Sequence, residues 1–132
     1  LAICYDIRFP ELAMVASRSG AGIMCYPGAF NTVTGPRFWT KFGVARAIDN
    51  QVYVILCSPA RNPDGGYQAY GHSMVVDPNG DVVVEAGHDE DIIYAELDPE
   101  VEKDARTAIP LSLQRRFDVY HDVSDDAKKS AL

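Results

Sequence analysis

Residues 52 to 57 read VYVILC, an unbroken apolar run rich in β-branched and aromatic side chains. Its length and make-up fit a strand buried within a sheet, and it is the strongest such signal in the chain. Immediately before it, Asp49-Asn50 ends a helix predicted from about Pro36 to Ile48. The apolar residues of that segment, Phe38, Phe42, Ala45 and Ile48, recur at intervals of three or four. A loop, GAFNTVTG at 28 to 35, separates the helix from a second short apolar run, Ile23 to Tyr26, closed by Pro27-Gly28. Further back, Leu1 to Cys4 reads as an opening strand. Behind it Pro10 suits a first helical turn, which does not need its N–H, and Glu11 suits a positive helix end. Leu12, Val15 and Ala16 continue at helical spacing until Gly20. The order strand, helix, strand, helix, strand predicts an α/β fold with parallel strands, right-handed helical crossovers and layers on both sheet faces.

Downstream the pattern changes. A polar loop with Pro59, Pro63 and Gly65-Gly66 precedes HSMVVD, Pro78-Asn79-Gly80, VVVEAG and IIYAELD, which read as short strands. The Asn-Gly pair marks a hairpin. A short helix is predicted from Pro99 to Ala108, stopped at Pro110, and then an extended arm. Residues 1 to 120 read as one domain or part of one, and 121 to 132 as a disordered tail.

The 132 residues are 47% hydrophobic and 23% charged, ordinary for a globular chain, with a net charge of −7. The acidic balance argues against a nucleic-acid partner, and no apolar run reaches the roughly 20 residues of a membrane helix. Three cysteines (4, 25 and 57) form no CxxC pair, and three histidines (72, 88 and 121) are too scattered for a metal cluster. This usage fits a reducing compartment, cytoplasmic or mitochondrial. The chain opens on Leu1 rather than methionine, so any targeting signal is expected upstream of it.

Cys4 ends the predicted opening strand just ahead of a helix, where ligands of parallel α/β sheets gather. Such a bend exposes a side chain as a nucleophile elbow does, and a helix start favours negative charge on sulfur. The backbone N–H of Tyr5 is then placed to hold an oxyanion. The alternative is that Cys4 is a small buried hydrophobe, as free cysteine often is. Cys25 and Cys57, within or at the end of apolar strands, read as core. Arg8 has two readings: an i, i+3 pair with Glu11 that fixes the turn, or a fork for a substrate carboxylate. With no resolving cysteine nearby in sequence, a redox sensor on Cys4 is the weaker idea.

CYDIRFPEL from residue 4, YPGAFN at 26 to 31, TGP at 34 to 36, ARAIDNQVYV at 45 to 54, SPAR at 58 to 61 and GHSMVVDPNG at 71 to 80 follow in order. Together they resemble the carbon–nitrogen hydrolase (nitrilase) superfamily, most of all its omega-amidase branch. The resemblance spans roughly residues 1 to 120. It implies the C-terminal half of a four-layer α-β-β-α sandwich, with Cys4 as nucleophile and no metal or organic cofactor. It also implies a glutamate base and a lysine, both ahead of the nucleophile and so before Leu1, which predicts that the chain alone is inactive. The implied substrate is a small acidic amide. Nitriles, N-carbamoyl amino acids and deaminated glutathione are competitors within the family, and a non-catalytic interaction module is the reading from another class.

Tyr26, Gly28, Ala29 and Phe30 occupy positions that the resemblance assigns to the pocket lining, ordinary core packing being the alternative for Tyr26 and Phe30, and Thr34 is a further candidate for contacting the substrate beside Arg8. Trp39 matches the branch, but Phe38 stands where it typically has histidine. Ser58 to Arg61 either reaches the same mouth or orders its loop. The implied partners are the N-terminal half of the same domain, covering a sheet face otherwise left bare, and a second copy packed across the arm after Ile109 in a homodimer or higher oligomer. Neither nucleic acid nor membrane is an implied partner.

Overall fold

The computed structural model describes residues 1 to 125. A 3₁₀ turn, Cys4–Arg8, leads into α1 (Pro10–Arg18), β1 (Ile23–Pro27), α2 (Gly35–Asn50), β2 (Tyr53–Cys57), β3 (Met74–Val76), β4 (Val82–Glu85), α3 (Pro99–Ala108) and α4 (Leu111–Gln114). The four strands form one sheet in chain order. β1 and β2 are parallel, with Ile23 opposite Tyr53 and Pro27 opposite Cys57. β2–β3 and β3–β4 are antiparallel. The Asn-Gly hairpin forms as predicted: Gly80 takes φ +92°, and Asp77 Oδ1 accepts the N–H groups of Asn79 and Asp81 at 2.8 and 2.9 Å.

Two expected strands do not form. Leu1 to Ile3 is joined to β1 by the bond from Ala2 N–H to the Cys25 carbonyl at 3.0 Å, and the pairing goes no further because the chain turns at Cys4, φ +46°, into the 3₁₀ segment. IIYAELD is irregular, with Ile92 74% and Tyr94 84% exposed. Strand propensity is a preference for a pleated, half-buried surface, and no neighbouring strand among the described residues supplies one there. The parallel portion of the sheet is therefore a single pair.

α1 and α3 begin at Pro10 and Pro99, where a missing N–H costs nothing. α2 runs past its predicted end to Asn50 and closes on Gln51 in the left-handed region, φ +52°. A non-glycine there is strained. The Gln51 amide offsets this by donating to the carbonyls of Ala105 and Ile109 at 2.8 and 2.7 Å, tying α3 to the end of α2. The buried face of α2 is also not the one that the apolar spacing suggested. Gly35, Trp39, Gly43, Arg46, Ala47 and Asn50 point inward, while Phe38 and Ile48 are exposed. Gly43 lies inside because a Cβ there would stand 2.9 Å from Leu56 Cδ1.

Met24, Tyr26, Trp39, Val54, Leu56, Met74 and Val76 form the core together with Ile7 of the 3₁₀ turn. The C-terminal arm lies against α1: Arg18 pairs with Asp122, donates to Ser124 Oγ at 3.0 Å and stacks on Phe117. Ser124 is buried. The expected disordered tail is thus anchored over residues 121 to 125, and its remainder lies outside the described residues. No described helix is long and apolar enough to cross a membrane.

Candidate active site

Cys4 has φ +46°, the left-handed region that a non-glycine side chain rarely enters. Holding it there costs about 1–3 kcal/mol, and such strain persists only where the surroundings over-determine it. They do so here. Ile3 N–H donates to Asp6 Oδ2 at 2.8 Å, and Asp6 N–H donates back to the Ile3 carbonyl at 3.0 Å. From beneath, the buried Arg46 donates Nε to the Ile7 carbonyl at 2.9 Å and Nη2 to the Arg8 carbonyl at 3.1 Å. Gly28, just beyond the end of β1, approaches the bend so closely that a Cβ would stand 2.9 Å from Cys4 Cα. Its N–H is fixed to the Cys57 carbonyl at 2.8 Å. The cysteine therefore sits on a sharp, clamped turn beside the carboxyl ends of the strands, half-buried, with Tyr5 exposed beside it.

One part of the expected electrostatics changes. α1 starts six residues after Cys4, which is itself the first residue of the five-residue 3₁₀ turn. Helix-dipole effects fade within the first turn, so α1 is not their source at the sulfur. What remains local is the backbone: Tyr5 N–H has no acceptor among the described residues.

Arg8 does not make the turn-fixing pair that is the first of its two sequence readings. No ion pair joins it to Glu11 among the described residues. Its guanidinium lies 4.9 to 5.6 Å from the ring centroids of Phe30, Tyr5, Phe42 and Phe38. Its Nε is buried without a hydrogen-bond partner among the described residues. Phe38, in place of the branch's usual histidine, is one wall of this aromatic cage and stacks on Phe42 at 5.8 Å. A cation over several rings is held by their quadrupoles while its N–H groups stay available to an anion.

Tyr26 and Phe30 are placed in the core rather than on an open wall, Tyr26 at 1% exposure. Burial raises the Tyr26 phenol above its ordinary pKa, with Arg46 opposing, and its hydroxyl has no partner among the described residues. Phe30 packs on Trp39 at 5.0 Å and forms the floor of the cage. Thr34 is the N-cap position of α2, and its hydroxyl donates to Asn31 Oδ1 at 3.0 Å. Ala29 offers its carbonyl to the Tyr67 hydroxyl at 2.6 Å. Arg61 orders its loop, donating to the carbonyls of Ala69 and Tyr70 at 3.0 and 3.1 Å. Cys57 is exposed and Cys25 half-buried, so neither belongs to the core expected of them; both lie on the sheet face away from α2. Two cavities of about 390 and 240 Å³ lie between α1, α2 and the arm, and Cys4 lines neither.

Sequence reading missed Arg46, Tyr67 and the pair His72 Nδ1–Glu85 Oε1 at 2.6 Å. Only Arg46 left a trace, as a charge amid the apolar spacing of a helix.

The family model described as carbon-nitrogen hydrolase matches residues 1–107. Omega-amidase NIT3 of Saccharomyces cerevisiae is 64% identical over 124 residues, 94% of this chain and 43% of that protein. The crystal structure of S. cerevisiae Nit3, a member of branch 10 of the nitrilase superfamily, superposes with TM-score 0.84 at 65% identity, covering 87% of this chain and 42% of that one. The C. elegans NitFhit structure superposes at 0.87 with 41% identity, over 91% of this chain and 29% of that one. An amidase from Nesterenkonia sp. AN1, carrying acrylamide added at its active-site cysteine, gives 0.62 at 26% identity, over 84% and 43%. The chain spans less than half the length of the curated relatives it matches most strongly.

Proposed function

The chain belongs to the carbon–nitrogen hydrolase family, and we propose that the protein containing it hydrolyses the C–N bond of a small acidic carboxamide through Cys4. The observation that carries this reading is the clamped bend: a cysteine at φ +46° with Gly28 against its backbone. The acrylamide adduct on the cysteine of the Nesterenkonia amidase supports the same assignment.

In the proposed reaction the Cys4 thiolate attacks the amide carbon, and the Tyr5 N–H faces the oxyanion that forms. The C–N bond breaks, ammonia leaves with an added proton, and a thioester remains on Cys4. Water then attacks the thioester, giving the carboxylic acid and freeing the thiol. A glutamate to shuttle the proton and a lysine to share the oxyanion come from the rest of the polypeptide, so the 132-residue chain alone is expected to release no ammonia. Arg8, caged by four rings, receives the substrate's carboxylate. That favours carboxylate-bearing substrates over simple nitriles; among such substrates, N-carbamoyl amino acids and deaminated glutathione included, the omega-amidases among the relatives favour 2-oxoglutaramate or 2-oxosuccinamate. The surface of α1, α2 and the arm is the proposed contact between copies. The free cysteines fit a reducing compartment.

The test is ammonia release by the whole protein with Cys4→Ala and Cys4→Ser on a panel of these substrates. Both variants should lose at least about a thousandfold in kcat, and the acidic amides should rank first. Unchanged turnover in both variants would remove Cys4 from the nucleophile role.

A further inference from the structure

We propose that Tyr67 is a positioning residue for the Cys4 site, acting as a latch that fixes the wall formed by Gly28 and Ala29. The inference rests on the amidase reading above and extends it to a residue outside the predicted site. Two loops meet over the strand ends, 28 to 34 and 58 to 73. Their far end is joined by backbone: Tyr70 N–H donates to the Phe30 carbonyl at 2.7 Å, and Asn31 bridges to Ala69. Arg61 braces that end from behind. The near end, next to Cys4, is joined by a side chain, with the Tyr67 hydroxyl donating to the Ala29 carbonyl at 2.6 Å.

Tyr67 is 56% exposed, so its ring adds little to the core, and its polar tip makes the connection. The tip is aimed by a loop that is closed on itself. The Gln68 amide donates to the carbonyls of Asn62 and Gly65 at 2.8 and 2.7 Å, and Asp64 N–H donates to Asn62 Oδ1 at 3.0 Å. Ala29 is the residue next to Gly28, where a Cβ would stand 2.9 Å from Cys4 Cα, so a shift of the Ala29 backbone tilts the wall that faces the bend. Tyr67 touches neither the sulfur nor the reacting carbon; it sets the depth of the wall facing them. Sub-ångström placement of a nucleophile changes rate far more than it changes fold stability.

The experiment compares the whole protein with its Tyr67→Phe variant, which keeps the ring and removes the latch. Readouts are kcat and KM for 2-oxoglutaramate, the thermal midpoint, and the rate of Cys4 alkylation by iodoacetamide followed by peptide mass spectrometry. The expected result is a kcat lower by on the order of tenfold, a changed alkylation rate, and unchanged KM and thermal midpoint. Wild-type kcat and alkylation rate in the variant would overturn the inference, as would a kcat loss that merely follows a lowered thermal midpoint. Turnover that survives Cys4→Ala strikes the amidase reading itself, so the two failures are distinguishable.

Discussion

On the sheet face turned toward α2, Met24, Tyr26, Val54, Leu56, Met74 and Val76 are closed off from water, whereas on the other face Ile23 is 45% exposed and Cys57 is open. Both faces come from the same strands by simple alternation. Tyr53 shows how the second face begins to be covered, its hydroxyl reaching the Asp98 carbonyl at 3.0 Å. Val75 on that face is buried as well, but Ile23 and Cys57, together with the exposed Ile92 and Tyr94, present apolar side chains of the kind folded proteins bury against another layer. The contrast teaches that the chain packs one face of its sheet against helices, and that Cys4 sits at the rim of that face on a braced bend.

Core truncations on the two faces give the largest expected effect. Leu56→Ala should cost about 2–5 kcal/mol by chemical unfolding of the whole protein, since the side chain is packed against α2. Ile23→Ala should cost less in the 132-residue chain than in the whole protein if a second layer covers that face, as proposed. Equal costs for Ile23→Ala in the two contexts would break the contrast.

Gly28→Ala probes the rim between the faces. The new methyl meets backbone, not a flexible side chain, so the bend itself must move. The expected outcome is a destabilisation of about 1–3 kcal/mol and a kcat lower by on the order of a hundredfold, read by unfolding and ammonia release. A variant with wild-type kcat would show that the close approach does not shape the site.

The smallest effect concerns the arm. Burial works against the Asp122 carboxylate, yet hydrogen bonds from Ser124 and Arg18 hold its pKa below the ordinary aspartate value. A lowered folded-state pKa contributes stability above the ordinary aspartate pKa of about 3.9, lost as pH falls through the lowered one. Amide-exchange protection at Ser124 should therefore hold from neutral pH to about 5 and fall only below the ordinary aspartate range, and Asp122→Asn should remove that acid dependence. Loosening between pH 5 and 8 would contradict it.

Much of the order of elements was legible because it rests on local chemistry. Pro99 and Pro110 bracket α3, Asn79-Gly80 makes the hairpin, and VYVILC is a strand. What sequence misjudged depends on what an element touches. α2 buries Gly43, Arg46 and Asn50, small or polar residues chosen for close approach and for bonding to carbonyls, so its apolar periodicity pointed to the wrong face. IIYAELD has strand-forming side chains but lacks a neighbouring strand. The cysteine at the bend was readable from its flanking pattern. The cage around Arg8 was not, because Tyr5, Phe30, Phe38 and Phe42 come from separate segments, and Tyr67 reaches the site from another loop.

The central claim is that the sulfur of Cys4 becomes acylated during turnover. The whole protein, acid-quenched while hydrolysing a slowly processed acidic amide and mapped by peptide mass spectrometry, measures this directly. The account predicts an added mass equal to the substrate less ammonia on the peptide containing Cys4, with none on Cys25 or Cys57. An adduct on either of those instead, or continued ammonia release by Cys4→Ala with no adduct at all, would contradict it.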